Sequence, residues 1–347
     1  MIKILVVDDS AFMRQMFVKM LDNNNNFSVI DTAENGQEAL KKIKEQNPDV
    51  ITLDIEMPVK NGLETLKEIM TMPDPVPTIM VSAIDDKDTV MTALELGAFD
   101  FIPKPARPLA LNLDNIKDDL IEKLQTAAGI EKKSFAEIKP EKPAATISKS
   151  NTIKSEDNFP IITIGTSSGG PKALKTILPV LPADFPAAIL IVQHMPKGFT
   201  SSLAKRLDDQ SAITVKEADD NDKIKTGTAY LAPGDYHMEV DENGSILLNQ
   251  SPPKWSVRPC ADYLLTSAAK NFKNRVIGVI LTGMGFDGAD GMQIVKKYNG
   301  YGIVEDKSTA LVYGMPQSVI KANAYDEIVP LNKIANKIIE IIERRYS

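Results

Sequence analysis

The apolar positions of the chain fall into short runs that alternate with helical patterns. IKILVVD at 2–8 is apolar on consecutive positions, as in a strand buried on both faces. SAFMRQMFVKMLD at 10–22 repeats with a helical period, and Ser10 stands where it can cap the first turn. The same alternation continues as FSVIDTA then GQEALKKIKEQ, DVITLDI then GLETLKEIMTM, and PTIMVSA then DTVMTALELG. DFIPKP and a helix ending near residue 125 complete it. Five βα units predict a parallel sheet with helices on both faces. From residue 160 the alternation resumes, with strands predicted at IITIG, AAILIVQHM, RVIGVILTGM and YGIVED, each followed by a helical stretch. GTAYLAPGDYHMEVDENGSILLNQ is predicted to be a hairpin turning at Asp241-Glu-Asn-Gly244. The second half therefore reads as a Rossmann-like α/β/α layer structure, its sheet mostly parallel with an antiparallel hairpin.

Residues 126–158 break the rhythm. They are rich in Lys, Ser, Ala and Pro, with few large apolar side chains to offset the entropy of ordering. A flexible linker is expected there, leaving one domain over 1–125 and another over 159–347.

Composition narrows the setting. Residues 1–125 carry 13 basic against 22 acidic side chains, and the remainder 27 against 25. Neither half has the basic excess of a nucleic-acid-binding domain, so no nucleic-acid partner is expected. No apolar run reaches the ~20 residues of a membrane span, so no direct membrane insertion is expected. The single cysteine, Cys260, has no internal disulfide partner, which suits a cytoplasmic protein.

The strand ends of the first domain carry the first candidate chemistry. Asp8 and Asp9 end the first strand, Asp54 the third, Ser82 the fourth and Lys104 the fifth. In an open parallel sheet these ends meet at one crevice. Clustered carboxylates repel, and a hard cation such as Mg²⁺ would neutralise them and bridge a phosphoryl group to an aspartate. Ser82 and Lys104 suit the phosphoryl oxygens.

The second candidate is ITIGTSSGGPKAL at 162–174, a glycine–serine turn between a strand and a helix. Gly165 and Gly170 have the spacing of a phosphate-binding loop, but Pro171 stands in the lysine position and no hydroxyl follows Lys172. Gly165-Thr-Ser-Ser-Gly169 also fits G-x-S-x-G, which centres Ser167 as a raised nucleophile beside backbone N–H groups. Only two histidines are available as a base. His194 ends the next predicted strand and is preferred; His237 lies in the predicted hairpin and is read as structural. Asp287, in the glycine-rich turn of LTGMGFDGADGM, is preferred over Asp290 as the group that holds the imidazole. The order Ser, His, Asp differs from that of α/β-hydrolases.

Two resemblances join these readings. DDS, LDIEMPVKNG, VSA and the KP pair after Phe101 resemble response-regulator receiver domains. The resemblance implies that Asp54 accepts phosphate from a histidine kinase. It further implies that Asp8 and Asp9 sit at a Mg²⁺ site, with the Glu56 main-chain carbonyl as a further ligand beside Asp9 and Asp54, and that Phe101 is an aromatic switch. GTSSGG, QHMPKGFT, APGDYHM and TGMGFDG, in that order, resemble the protein-glutamate methylesterase family of bacterial chemotaxis. That resemblance implies Ser167 as nucleophile, His194 as general base and acid, Asp287 as the orienting carboxylate, and a main-chain contribution from Met284. It also implies methyl-accepting chemotaxis receptors as substrates, the chemotaxis histidine kinase as partner, glutamine deamidation as a second activity, and no cofactor in the esterase domain. The family usually has serine where Cys260 stands, so no catalytic thiol is expected.

Overall fold

A computed structural model describes residues 1–22, 24–83, 86–104, 113–130 and 159–346. The chain divides into two units, Met1–Ala136 and Glu137–Ser347. The linker expected over 126–158 lies outside the described residues from 131 to 158.

The first unit runs β1 (Ile2–Val7), α1 (Ala11–Asp22), β2 (Phe27–Ala33), α2 (Gly36–Gln46), β3 (Val50–Asp54), α3 (Gly62–Met70), β4 (Thr78–Ser82), α4 (Lys87–Leu96), β5 (Asp100–Pro103) and α5 (Leu113–Ala128). All five strands are parallel, in the order β2-β1-β3-β4-β5. The central strands are the apolar runs, and Ile4, Val6, Val50, Ile51 and Ile79 are fully buried. Ser10 caps α1 by accepting from the Met13 amide at 3.4 Å. Asn61 and Glu64 form a reciprocal capping box at the start of α3. The residue between Asn61 and the helix body has to be glycine, because a Cβ on Gly62 would stand 2.1 Å from the Asp54 carbonyl. The NG of LDIEMPVKNG thus lets α3 begin against the end of β3.

The second unit runs β6 (Ile161–Thr166), α6 (Gly170–Ile177), β7 (Ala188–Gln193), α7 (Phe199–Asp208), β8 (Thr214–Glu217), β9 (Thr228–Leu231), β10 (His237–Val240), β11 (Ile246–Asn249), α8 (Ala261–Phe272), β12 (Val276–Ile280), α9 (Ala289–Lys297), β13 (Tyr301–Glu305), α10 (Gly314–Lys321), β14 (Glu327–Val329) and α11 (Leu331–Tyr346). Seven of these strands form one sheet, ordered β14-β13-β12-β6-β7-β9-β8. Every pairing in it is parallel. The α/β class expected from the sequence holds, with one correction. The first arm of the predicted hairpin, TAYL, is β9 and joins the main sheet between β7 and β8. Among the named strands of the described residues, β10 and β11 alone pair antiparallel, as a separate two-stranded sheet closed by the Asp241–Gly244 turn. TAYL alternates as a hairpin arm would, but Ala229, Tyr230 and Leu231 are all buried, as in a strand covered on both faces.

β6 lies between β7, which follows it in the chain, and β12, which arrives much later. The loops leaving β6 and β12 therefore part at the carboxyl edge, where a parallel sheet opens a crevice. Under that edge sits a core that includes Leu190, Val192, Ala261, Leu265 and Met292. Leu190→Ala, in the middle of β7 and fully buried, is expected to cost about 3 kcal/mol. A urea midpoint equal to that of the parent chain would contradict this packing.

Candidate active site

Sheet register brings the pieces together at the carboxyl edge of the second unit. β6 and β7 pair as far as Thr166↔Gln193, so Ser167 and His194 are the next residues on neighbouring strands. The His194 amide donates to the Thr166 carbonyl at 3.1 Å and extends the ladder by one step. The Ser167 amide donates across the sheet to the Thr282 carbonyl at 3.0 Å, which ties the glycine–serine turn to the loop after β12. That loop approaches closely enough that a Cβ on Gly283 would lie 2.8 Å from the Ser167 Cβ. Glycine there lets the main chain pass beside the serine and leads directly into Met284. Thr282 secures the same junction, since its Oγ1 donates to the Ser168 carbonyl at 2.9 Å.

The imidazole is held by a buried carboxylate. His194 Nε2 and Asp287 Oδ2 are 2.7 Å apart. Asp287 also accepts from the Ala261 amide at 2.6 Å, the Asp262 amide at 2.9 Å and the Cys260 thiol at 3.0 Å. Burial drives its carboxyl pKa upward, but the bonds from His194, Cys260 and the start of α8 outweigh that and hold it below the usual range. Asp290, the alternative in the sequence, instead pairs with Lys254 at 2.7 Å. The carboxylate of Asp262 is a second buried hub: it accepts from the Gly288 and Gly291 amides at 3.0 and 2.7 Å and from the Trp255 indole at 2.9 Å. Lys254 completes it with an ion pair at 2.8 Å. Asp262 thereby fastens the chain that leaves the Asp287 turn into α9.

In the first unit β1 and β3 pair as far as Val7↔Leu53, which sets Asp8 and Asp54 side by side. The oxygens of Asp8, Asp9 and Asp54 lie within 4.8 Å of one another. Lys104 Nζ is 2.7 Å from Asp54 Oδ1 and 3.5 Å from Asp8 Oδ2. Ser82 ends β4, buried, with its hydroxyl on the Ala83 carbonyl. Asp9 and Glu56 line one depression together with Met57, Asn61 and Asp86. Asp54 Oδ2 is buried without a hydrogen-bond donor, and Asp8 Oδ2 has the Lys104 ammonium 3.5 Å away. Burial raises the Asp54 carboxyl to about 6, and the Asp8 charge adds to this while Lys104 opposes it. A cluster of carboxylate oxygens, one of them buried without a donor, suits a hard cation such as Mg²⁺.

Residues 162–338 match the CheB methylesterase family, and residues 4–113 match the response regulator receiver domain. A protein of Clostridium acetobutylicum named protein-glutamate methylesterase/protein-glutamine glutaminase is 45% identical, covering 98% of both chains. One of the same name from Geobacillus kaustophilus is 46% identical, covering 98% of this chain and 99% of its own. The chain belongs to the CheB methylesterase family. Among solved structures, the methylesterase catalytic domain of Thermotoga maritima CheB is 49% identical, with a TM-score of 0.52 over 53% of this chain and 98% of its own.

Within this chain, the side chains left outside the site have visible reasons. His237 is fully buried in β10 and stacks on Tyr263 with centroids 4.1 Å apart. Its Nε2 meets the Pro252 carbonyl at 3.2 Å. Arg258 is engaged by Asp235 at 2.6 Å and by the Gln250 and Ser251 carbonyls. Phe101 is buried, with Lys123 Nζ 5.6 Å above its ring. Sequence reasoning missed Asp262, whose place at the start of a helix reads as an ordinary polar first turn. It also missed Glu305, fully buried at the end of β13, which accepts from the Thr282 amide at 2.8 Å.

The raised carboxyl of Asp54 has a testable consequence. A carboxyl with a higher pKa in the fold contributes stability that is complete below 3.8 and is lost as pH rises through about 6. The difference corresponds to about 3 kcal/mol at pH 7. Asp54→Asn cannot ionise, so in metal-free buffer it is expected to be the more stable protein at pH 7, by up to about that amount. The advantage should shrink toward nothing near pH 4. Urea unfolding across this range measures it, and a less stable variant at pH 7 would contradict the assignment.

Proposed function

We propose that the second unit hydrolyses glutamate γ-methyl esters on methyl-accepting chemotaxis receptors, with Ser167, His194 and Asp287 as its catalytic groups. The observation that carries this reading is the 2.7 Å His194–Asp287 contact at the strand end beside the one that bears Ser167. Asp287 faces Nε2, so that nitrogen carries the proton and Nδ1 is left to serve the serine. His194 Nδ1 takes the Ser167 proton as Oγ bonds to the ester carbonyl carbon. The carbonyl electron pair moves onto oxygen, where the Met284 N–H and the turn amides beside Ser167 supply donors. The tetrahedral species collapses, the bond to the methoxy oxygen breaks, and His194 returns its proton to that oxygen, releasing methanol. Water then gives a proton to His194 and attacks the acyl carbon. The acyl–Oγ bond breaks, Ser167 recovers its proton and the receptor keeps a glutamate. The same steps on a side-chain amide release ammonia and account for the glutaminase half of the relatives' name.

The first unit is the proposed switch. In this reading residues 1–125 are the receiver, 126–158 the linker and 159–347 the catalytic domain of a cytoplasmic protein. Asp54 attacks the phosphorus carried by the chemotaxis histidine kinase, forming an O–P bond as the N–P bond breaks. Lys104 and Ser82 meet the phosphoryl oxygens. Asp9, Asp54 and the Glu56 carbonyl, with Asp8 adjoining, would hold Mg²⁺, which neutralises charge on the phosphoryl group. Phosphorylation shifts the chain toward an open state, in which the esterase crevice is accessible.

Ser167→Ala is expected to abolish methanol release from purified methylated receptor. Near-parental release would refute the nucleophile. A small-molecule phosphodonor is expected to stimulate the parent chain and leave Asp54→Asn at its basal rate.

A further inference from the structure

Trp255, the chain's only tryptophan, is 47% exposed, and Phe286 is 63% exposed. Their rings meet at 5.9 Å between centroids. Touching aromatic rings left in water form an apolar patch of the kind that marks an interaction site. The patch is built, not incidental. Trp255 and Ser256 hold φ angles of 56° and 63°, a left-handed conformation that side-chain-bearing residues rarely adopt. The indole N–H is fixed to Asp262 at 2.9 Å. Lys254 lies 5.4 Å over the ring and is itself held by Asp262 and Asp290.

The patch is continuous with the proposed catalytic group. Phe286 immediately precedes Asp287. Trp255 hangs on Asp262, whose amide donates to Asp287 and whose carboxylate binds the Gly288 amide on the far side of the same turn. A free small ester would need only the crevice. An ester borne on a protein, as in the relatives' name, brings neighbouring side chains with it. Lys254 is engaged by two carboxylates, so the patch offers apolar contact in place of a free charge.

We propose that Trp255 and Phe286 form the docking surface for the receptor segment that carries the methylated glutamate, the apolar side chains beside the ester packing on the two rings. The inference rests on the methylesterase reading. It casts the two aromatics as the anchors of a protein–protein contact, where tryptophan often dominates.

The test uses the full chain with a phosphodonor, a soluble methylated receptor fragment and, for comparison, a blocked glutamate γ-methyl ester. Trp255→Ala and Phe286→Ala are expected to raise KM for the fragment about tenfold, with kcat falling far less. Activity on the small ester should fall much less than activity on the fragment, and Trp255→Phe should recover most of the loss. In the Ser167→Ala chain, the fragment should shift the Trp255 emission to the blue. An unmoved KM, or parallel losses on both substrates, would overturn the docking role and point in the second case to an effect through Asp287. An absent emission shift would overturn it too. Failure of the underlying reading is distinct: the parent chain would release no methanol, or Ser167→Ala would still release it.

Discussion

A carboxylate sealed from water must be matched by donors, and the second unit is arranged around that demand. Asp287 is met by an imidazole, a thiol and two main-chain amides. The amides come from the start of α8, so this helix has to end its approach at the carboxyl edge of the sheet. The imidazole comes from the end of β7, so that strand has to run alongside β6 to the same height. Removing a partner from such a group costs far more than the bond gained in water, because the charge is left without compensation. Asp262 repeats the device one layer out and anchors the turn itself. Positions of Ser167, His194 and Met284 follow from that framework.

The two carboxylate sites share a sheet logic and differ in electrostatics. Asp287 is fully donated to, and its proton is held off. It suits a fixed charge that orients a neighbour. Asp54 keeps one oxygen without a donor, stands beside Asp8 and leans on a single ammonium. Such a group is left charged at a cost in stability, in the way that functional sites generally run against the packing of their surroundings.

Much of this was legible in the chain itself. Consecutive apolar runs marked the central strands, because a strand covered on both faces has no polar side to show. The residues following those runs were then gathered by the sheet, which is why Asp8, Asp54, Ser167 and His194 could be named together. Asp287 was separable from Asp290 because it falls in the glycine turn and not on the helix. The edge of the second sheet was less legible. TVKE and TAYL are short and half-polar, and they pair parallel with each other, TAYL also with β7, where sequence proximity suggests a hairpin. Asp262 and Glu305 were hidden for another reason: a lone acid gives no sequence signal of burial, since its burial depends on donors that only the tertiary structure supplies.

The thiol of Cys260 carries a consequence of its own. Burial and the neighbouring Asp287 charge push it far above the ordinary thiol range, so almost none of it is thiolate at neutral pH. It is also the chain's single cysteine. Nature has thus left this protein with a chemically silent background, against which a cysteine introduced on the surface of either unit is the one site a maleimide probe will find. Paired labels on the two units, with no native thiol to remove, turn the separation between them into a distance that can be read by spectroscopy.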